Sequence, residues 1–373
     1  MPTVLRALAA ASIAIFCAGC EQEKPPGPPV QTVEVPVAAG EAASACLLRP
    51  IAYTHGKLKD KFLIGKDDTD PLKRQAVFAK RRLQVNTDGA ENSYHSDRIN
   101  ADDRNIGAVN IVCNADVKLY PRTWWSFLRR PEPLNCYAKN GVSVEPRYME
   151  IYKAIKNAEW KPAEGYRIAF NWDILAKKES NSFWPLRMFE PDRPCVNPSG
   201  FFVSKTKLAH YTPKDQCDQR AYLDSNEEKA AVLPQHWFAD WSSQVAARWA
   251  SFLPGDVVVA HRPAEGGQPE TWVFGIVGDS GPLQKFGEAT MAFNWQLLRN
   301  SGSIREKIRT FKEALMLDTD MLKPQEIPLL VLERTAPALG GNYSAANIEA
   351  KAREEFAKWG GEARFKACLE LMQ

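Results

Sequence analysis

Two carboxylates nine residues apart, each beside a glycine, are the part of this sequence best equipped for chemistry. Asp279 follows Gly278 and leads into Ser280-Gly281-Pro282, and Glu288 lies within Phe286-Gly287-Glu288-Ala289. Glycine beside a carboxylate lets the chain turn sharply and lets a ligand come close to the backbone. Two acids presented from neighbouring turns suit glycosidic hydrolysis. One gives a proton to the leaving oxygen, and the other activates water or attacks carbon. Intrinsic acidity, about 4.3 for Glu against about 3.9 for Asp, barely separates the roles. Glu288 as acid with Asp279 as base is the favoured assignment, and the reverse stays open.

The elements that must position these acids follow from pattern. Trp272 to Val277 is a strongly apolar run ending at Asp279, and Val257 to Ala260 is a second. With Gly266-Gly267 between them they read as a hairpin that delivers Asp279 to a sheet edge. Phe201 to Thr206 and Ile327 to Leu332 read as further strands, and Ala108 to Tyr120 as a strand pair. Helical spacing occurs over Glu145–Trp160 and over Asp240–Leu253, where Trp241, Val245, Trp249 and Phe252 share a face. Ser303-Ile304-Arg305-Glu306 has the form of a capping box opening a helix that turns Ile304, Ile308, Phe311 and Leu315 inward. Ser344 to Met372 reads as a helix pair broken at Gly360-Gly361. These elements predict an α+β fold, with a β-rich, barrel-like catalytic domain and peripheral helices.

The N-terminus predicts export. A short basic start, an apolar stretch from Ala7 to Phe16 and Ala18-Gly19-Cys20 resemble a lipoprotein signal, with Cys20 the lipidated residue. The apolar stretch is shorter than the roughly 20 residues of a permanent span. Ordinary signal cleavage and a soluble exported product is the alternative. The expected organisation is a signal over 1–19, a Pro/Ala-rich tether over 20–44, a catalytic domain over 45–335 and a helical extension over 336–373. The six cysteines after Cys20 form an even set, as in a disulfide framework. Pairing near neighbours and tying the ends gives Cys113–Cys136, Cys195–Cys217 and Cys46–Cys368, one of 15 possible connectivities. No Cys-x-x-Cys spacing suggests zinc, so no metal and no cofactor is expected. A formal net charge of +3 makes no electrostatic case for nucleic acid.

At Asp279 and Glu288 the chain resembles a known family. Trp272 to Pro282 together with Phe286 to Phe293 resemble the chitosanases of glycoside hydrolase family 75. Ala221 to Asp224 with Val232 to Pro234, Phe201 to Leu208, and Asn86 to Ala90 with Tyr94 and His95 resemble further segments of that family. The similarity spans residues of about 80 to 300. The chain departs from the compact fungal members in its tether, in region 114–195 and in its C-terminal helices. The resemblance implies Asp279 and Glu288 as the catalytic pair, and endo-acting hydrolysis of chitosan, a β-1,4-linked glucosamine polymer, with inversion. Asp88, His95 and Lys205 are the candidate substrate contacts: Asp88, with Asp97, Asp102 and Asp103, to attract cationic amines, His95 to meet a hydroxyl, and Lys205 to orient a catalytic acid. The expected partners are a polysaccharide substrate and, through Cys20, the cell-envelope membrane. The alternative is a non-catalytic glycan-binding or structural envelope lipoprotein.

Overall fold

The apolar runs either side of Gly266-Gly267 form the heart of the structure, a computed structural model. It describes residues 31–34, 41–55, 58–66, 74–99, 107–122, 132–138, 144–178, 192–238, 251–281, 286–319 and 326–372. The expected lipoprotein signal and residues 240–250 of the helix expected over Asp240–Leu253 lie outside these residues; residues 251–253 are described and are not helical, Phe252 bridging Phe238 instead. Strands Val257–Arg262 and Thr271–Gly281 pair antiparallel, from Val257 opposite Ile276 to Arg262 opposite Thr271. Both glycines of the connection have positive φ, 60° and 79°, which suits a residue without a Cβ.

This hairpin is central to a ten-stranded sheet. On one side follow Ile327–Leu332, Gln75–Arg81, Leu58–Lys66, Arg49–His55 and Gln31–Glu34. On the other follow Ala230–Pro234, Glu288–Thr290 and Gln84–Asn86. The α+β class is as expected. Among the described residues, however, the two outer strands do not pair, so the sheet is open where a barrel-like closure was anticipated.

Both faces of the central strands are buried, which explains runs of consecutive apolar residues in place of alternation. Val258, Ala260, Val273 and Val277 point to one core with Phe62, Trp237, Phe238 and Phe293. Val257, Val259 and Phe274 point to the other, which Phe356, Trp359 and Phe365 complete. Those aromatics come from helices Ala345–Trp359 and Gly361–Leu371, separated at Gly360 where φ is 123°. A third core surrounds helix Pro146–Asn157, whose Tyr148, Ile151, Tyr152 and Ile155 are buried at the expected spacing.

Three sequence expectations are corrected. Ser303 makes no capping bond, and the helix it opens ends at Lys307. The working capping box is Thr310 with Glu313, which starts a separate helix Phe311–Leu315. Because Glu313 Oε2 accepts from the backbone N–H of both Arg309 and Thr310, the chain restarts there instead of continuing. Phe201–Thr206 makes only isolated bridges, to His95, Val196 and Leu175, because its neighbours are loops. Ala108–Tyr120 is no strand pair: a 3₁₀ turn at Val112–Ala115 precedes the single strand Lys118–Pro121, which pairs with Tyr166–Ala169.

All three disulfides join the expected cysteines, with Cα separations of 4.8 Å for Cys46–Cys368, 5.4 Å for Cys113–Cys136 and 5.2 Å for Cys195–Cys217. These fall inside the range a disulfide permits. Cys46–Cys368 closes a loop of 322 residues and staples the start of the fold to its last helix. Replacing both cysteines by Ser should lower unfolding free energy by about 2–5 kcal/mol in chemical denaturation. An unchanged midpoint would contradict this role.

Candidate functional site

Val232 is the point about which the two catalytic candidates are arranged. It pairs with Asp279 on one neighbouring strand and with Glu288 on the other. Paired residues share a face, so both carboxylates lie on one side of the sheet. Two strand spacings put their backbones roughly 10 Å apart.

Regular alternation would not produce this. Ala231 pairs with Val277, and both point into the main core with Leu233 and Ala289. A residue two after Val277 should follow it inward. The register instead jumps between Ala231 and Val232, leaving Gly278 as the extra residue of a β-bulge. That bulge turns Asp279 away from the apolar core onto the face that Glu288 occupies. Only glycine fits there: a Cβ on residue 278 would lie 2.6 Å from the Cβ of Ala230 and 3.1 Å from Cδ1 of Leu223.

Asp279 Oδ1 accepts from the backbone N–H of Ser280 at 2.8 Å and of Lys207 at 2.9 Å. Oδ2 is therefore the oxygen left for a proton. Burial, then the negative charge of Asp88, pushes its pKa up to about 8 against the opposition of those two N–H groups. Glu288 adds to the upward push. All three carboxylate residues are only half-buried, so solvent reaches the cluster.

Asp88 is delivered by the turn after strand Gln84–Asn86, which runs parallel to Glu288–Thr290. Gly89 takes φ 85°, and a Cβ there would sit 1.8 Å from the Leu223 carbonyl oxygen. Asp88 Oδ1 accepts from Tyr94 Oη at 2.7 Å and from Ser204 Oγ at 3.3 Å, and Oδ2 from Asn86 Nδ2 at 3.5 Å. Burial raises its pKa to about 6, helped by Glu288 and opposed by those three donors. Tyr94 is pushed well above its ordinary value by burial and by Asp88. It was noted in sequence only as part of a motif, although its place six residues after an Asp-Gly turn was the available signal.

Lys205 Nζ donates to the Trp172 carbonyl at 2.7 Å, and burial pushes its pKa down while Asp173 and Asp279 push it up. Its ammonium is thus committed to that carbonyl, and Asp279 is the least of the influences on it. His95 does not join the acids. Its Nδ1 accepts from the Asp97 backbone N–H at 3.1 Å, so Nε2 carries the proton toward the Ser199 carbonyl at 3.0 Å. The ring also packs edge-on against Phe201, and residue 200 must be glycine to clear it. His95 is a loop clamp, with both nitrogens spent. Asp97 pairs with Lys156 and is likewise occupied. Asp102 and Asp103 lie outside the described residues.

A second acidic group, Asp224, Glu227, Glu228 and Glu91, is committed to structure. Arg305 pairs with Glu91, Asp224 and Glu227. Glu228, pushed up to about 8 by burial, accepts from the Asp224 backbone N–H at 2.6 Å. A cleft of about 310 Å³ beside it, lined by Lys229, Trp295, Gln296 and Arg305, contains none of Asp88, Asp279 and Glu288. Among the described residues no three His, Cys, Asp or Glu side chains gather as a metal site, and no helix is long and apolar enough to cross a membrane. No family model matches the chain, and a search of curated proteins finds no match.

A carboxyl whose pKa is higher folded than unfolded contributes stability that is complete below the unfolded value and is lost as pH rises through the folded one. For Asp279 that window runs from 3.8 to about 8. Asp279→Asn should therefore match the parent in thermal melting near pH 4 and become progressively more stable than it toward pH 8. A parent that gains on the variant as pH rises would identify Asp279 as an ordinary ionised turn residue. Gly278→Ala should cost about 1–3 kcal/mol by forcing the bulge apart.

Proposed function

We propose that this chain is a lipid-anchored glycoside hydrolase of the cell envelope that cuts β-1,4-linked glucosamine polymers, chitosan or a related amino-sugar glycan, by inversion. The observation that carries the reading is the pairing of Asp279 and Glu288 about Val232, on one face of the sheet, with Asp279 favouring its proton at neutral pH. An inverting site needs its carboxyl groups roughly 6.5–9.5 Å apart so that a water fits between base and sugar. Backbones two strands apart are compatible with that gap. The resemblance to family 75 supplies the substrate class, and the signal-like start with Cys20 supplies the anchor.

The electrostatics favour the roles opposite to those preferred from sequence. Asp279, half-buried and near the negative charge of Asp88, is the proton donor, and Glu288 is the base. In the reaction Asp279 Oδ2 gives its proton to the glycosidic oxygen as the bond from that oxygen to the anomeric carbon breaks. Glu288 takes a proton from water as the water oxygen bonds to the anomeric carbon from the opposite face. The products are two shorter chains, the new reducing end having inverted configuration. Asp279 is left ionised and Glu288 protonated, and exchange with solvent restores both. Two carboxyls and water complete this chemistry without a cofactor.

Incubating the full chain with chitosan should release reducing ends whose first-formed anomer, read by NMR, is α. Asp279→Asn and Glu288→Gln should each lower turnover by about a hundred- to ten-thousand-fold. The parent rate should fall as pH rises through about 8, where Asp279 loses its proton. Saccharide binding without reducing-end release would favour a glycan-binding protein, and full turnover in both variants would remove the assignment.

A further inference from the structure

The geometry points to Asp88 as a positioning residue: a fixed negative charge, clamped by Tyr94 and Ser204, that holds the proton on Asp279 Oδ2. This rests on the reading of Asp279 as the general acid.

One short strap of chain grips both carboxylates. At its start, Ser204 Oγ donates to Asp88 Oδ1 and accepts from the Gly89 backbone N–H at 3.2 Å. Three residues on, the Lys207 N–H donates to Asp279 Oδ1, and the Leu208 N–H donates to the Gly278 carbonyl at the bulge. Even fully extended, three residues span only about 10 Å. The two acids are thereby tied to one strap, Asp88 through the Ser204 hydroxyl and Asp279 through the Lys207 N–H. Neither is free to swing away from the other.

Asp88 is poorly placed to serve mainly as a sugar ligand. Its Oδ1 is occupied twice and its Oδ2 faces the Asn86 amide. The turn that carries it is fixed as well, since the Gly89 carbonyl accepts from Gln219 Nε2 at 2.7 Å and Leu223 blocks any Cβ at residue 89. What such a group does supply is charge. The charged and titratable groups that act on Asp279 or feel its charge are Asp88 from the turn after Gln84–Asn86, Tyr94 from the following loop, Glu288 from strand Glu288–Thr290, and, most weakly, Lys205 from the strap, whose ammonium is held by the Trp172 carbonyl. Lys207 turns its own ammonium over the Phe238 ring, 4.7 Å from the centroid. After burial, Asp88 outweighs Glu288 in its effect on Asp279.

The asymmetry between the two aspartates follows from their donors. Burial is the largest influence on both, but three side-chain donors favour the ionised form of Asp88, while at Asp279 the charge of Asp88 outweighs either of the two backbone N–H groups. Two close carboxyls cannot easily both ionise, so the pair sheds its protons in two steps. Of the two, Asp279 is pushed up further, so it is the one that favours the shared proton.

The test is the pH dependence of kcat/KM for the full chain acting on a soluble glucosamine hexamer. Asp88→Asn should move the alkaline limb down by about 1 pH unit, as expected for removing a neighbouring like charge. KM should stay within about twofold, since uniform substrate binding is not what is removed. Tyr94→Phe should move the limb in the same direction by less. A raised KM with an unmoved limb would make Asp88 a sugar ligand and overturn the inference. A ¹³C carboxyl titration of Asp279 in parent and Asp88→Asn protein reads the same coupling without catalysis. A downward shift there in a chain that cuts no glycan would keep the inference and sink the hydrolase reading, and an unchanged titration would sink the inference even in an active enzyme. Should Asp88→Asn not fold, Tyr94→Phe and Ser204→Ala carry the same measurements.

Discussion

Two carboxylates on one face of a sheet, with a third, Asp88, brought near them by a turn, are the constraint on which the site depends. Like charges in a half-buried site repel, and burial penalises each ionised form separately. The cluster is tolerable because its members are treated differently. Asp88 is surrounded by hydroxyl and amide donors, Asp279 is given two backbone N–H groups at one oxygen while burial and the Asp88 charge favour a proton at the other, and Glu288 lies on a separate short strand. Unequal treatment of similar acids is how one fold separates acid from base.

The bulge at Gly278 is the structural device that makes the cluster possible. Without the extra residue Asp279 would continue the inward rhythm of Val273 and Val277 into an apolar core of Phe62, Trp237 and Phe293, where a carboxylate is costly to bury. The rest of the scaffold keeps that bulge in place. Apolar layers on both faces prevent the central strands from sliding, and Cys46–Cys368 ties the covering helices to the start of the domain. The Ser204–Leu208 strap then locks the bulged carbonyl and the carboxylate together.

How much of this could be read beforehand depended on sequence distance. The hairpin 257–281, the strand Ile327–Leu332, the helix at Tyr148–Ile155 and the break at Gly360 follow from local periodicity and glycine placement. Asp279 and Glu288 stood out because their glycines mark special backbone. The roles did not, since intrinsic acidity hardly differs and the deciding charge, Asp88, lies 191 positions away in the chain. Tyr94 showed only as part of a motif and Ser204 as part of a strand-like run, because their importance is a matter of which loops meet. His95 was a candidate sugar contact because an imidazole can meet a hydroxyl and the residue lies in the family-like segment, yet its nitrogens close a loop. The Ser303 box had the right letters, but Thr310 competes for the same short stretch with a fully satisfied cap.

The central claim is that Asp279 holds a proton where ordinary aspartates have lost theirs. The most direct measurement is the chemical shift of its ¹³C-labelled carboxyl across pH 3 to 9 in the intact chain, assigned through Asp279→Asn. The account predicts a carboxyl that remains protonated through neutrality and titrates near pH 8. A titration complete by about pH 5, the behaviour of an ordinary exposed aspartate, would contradict it.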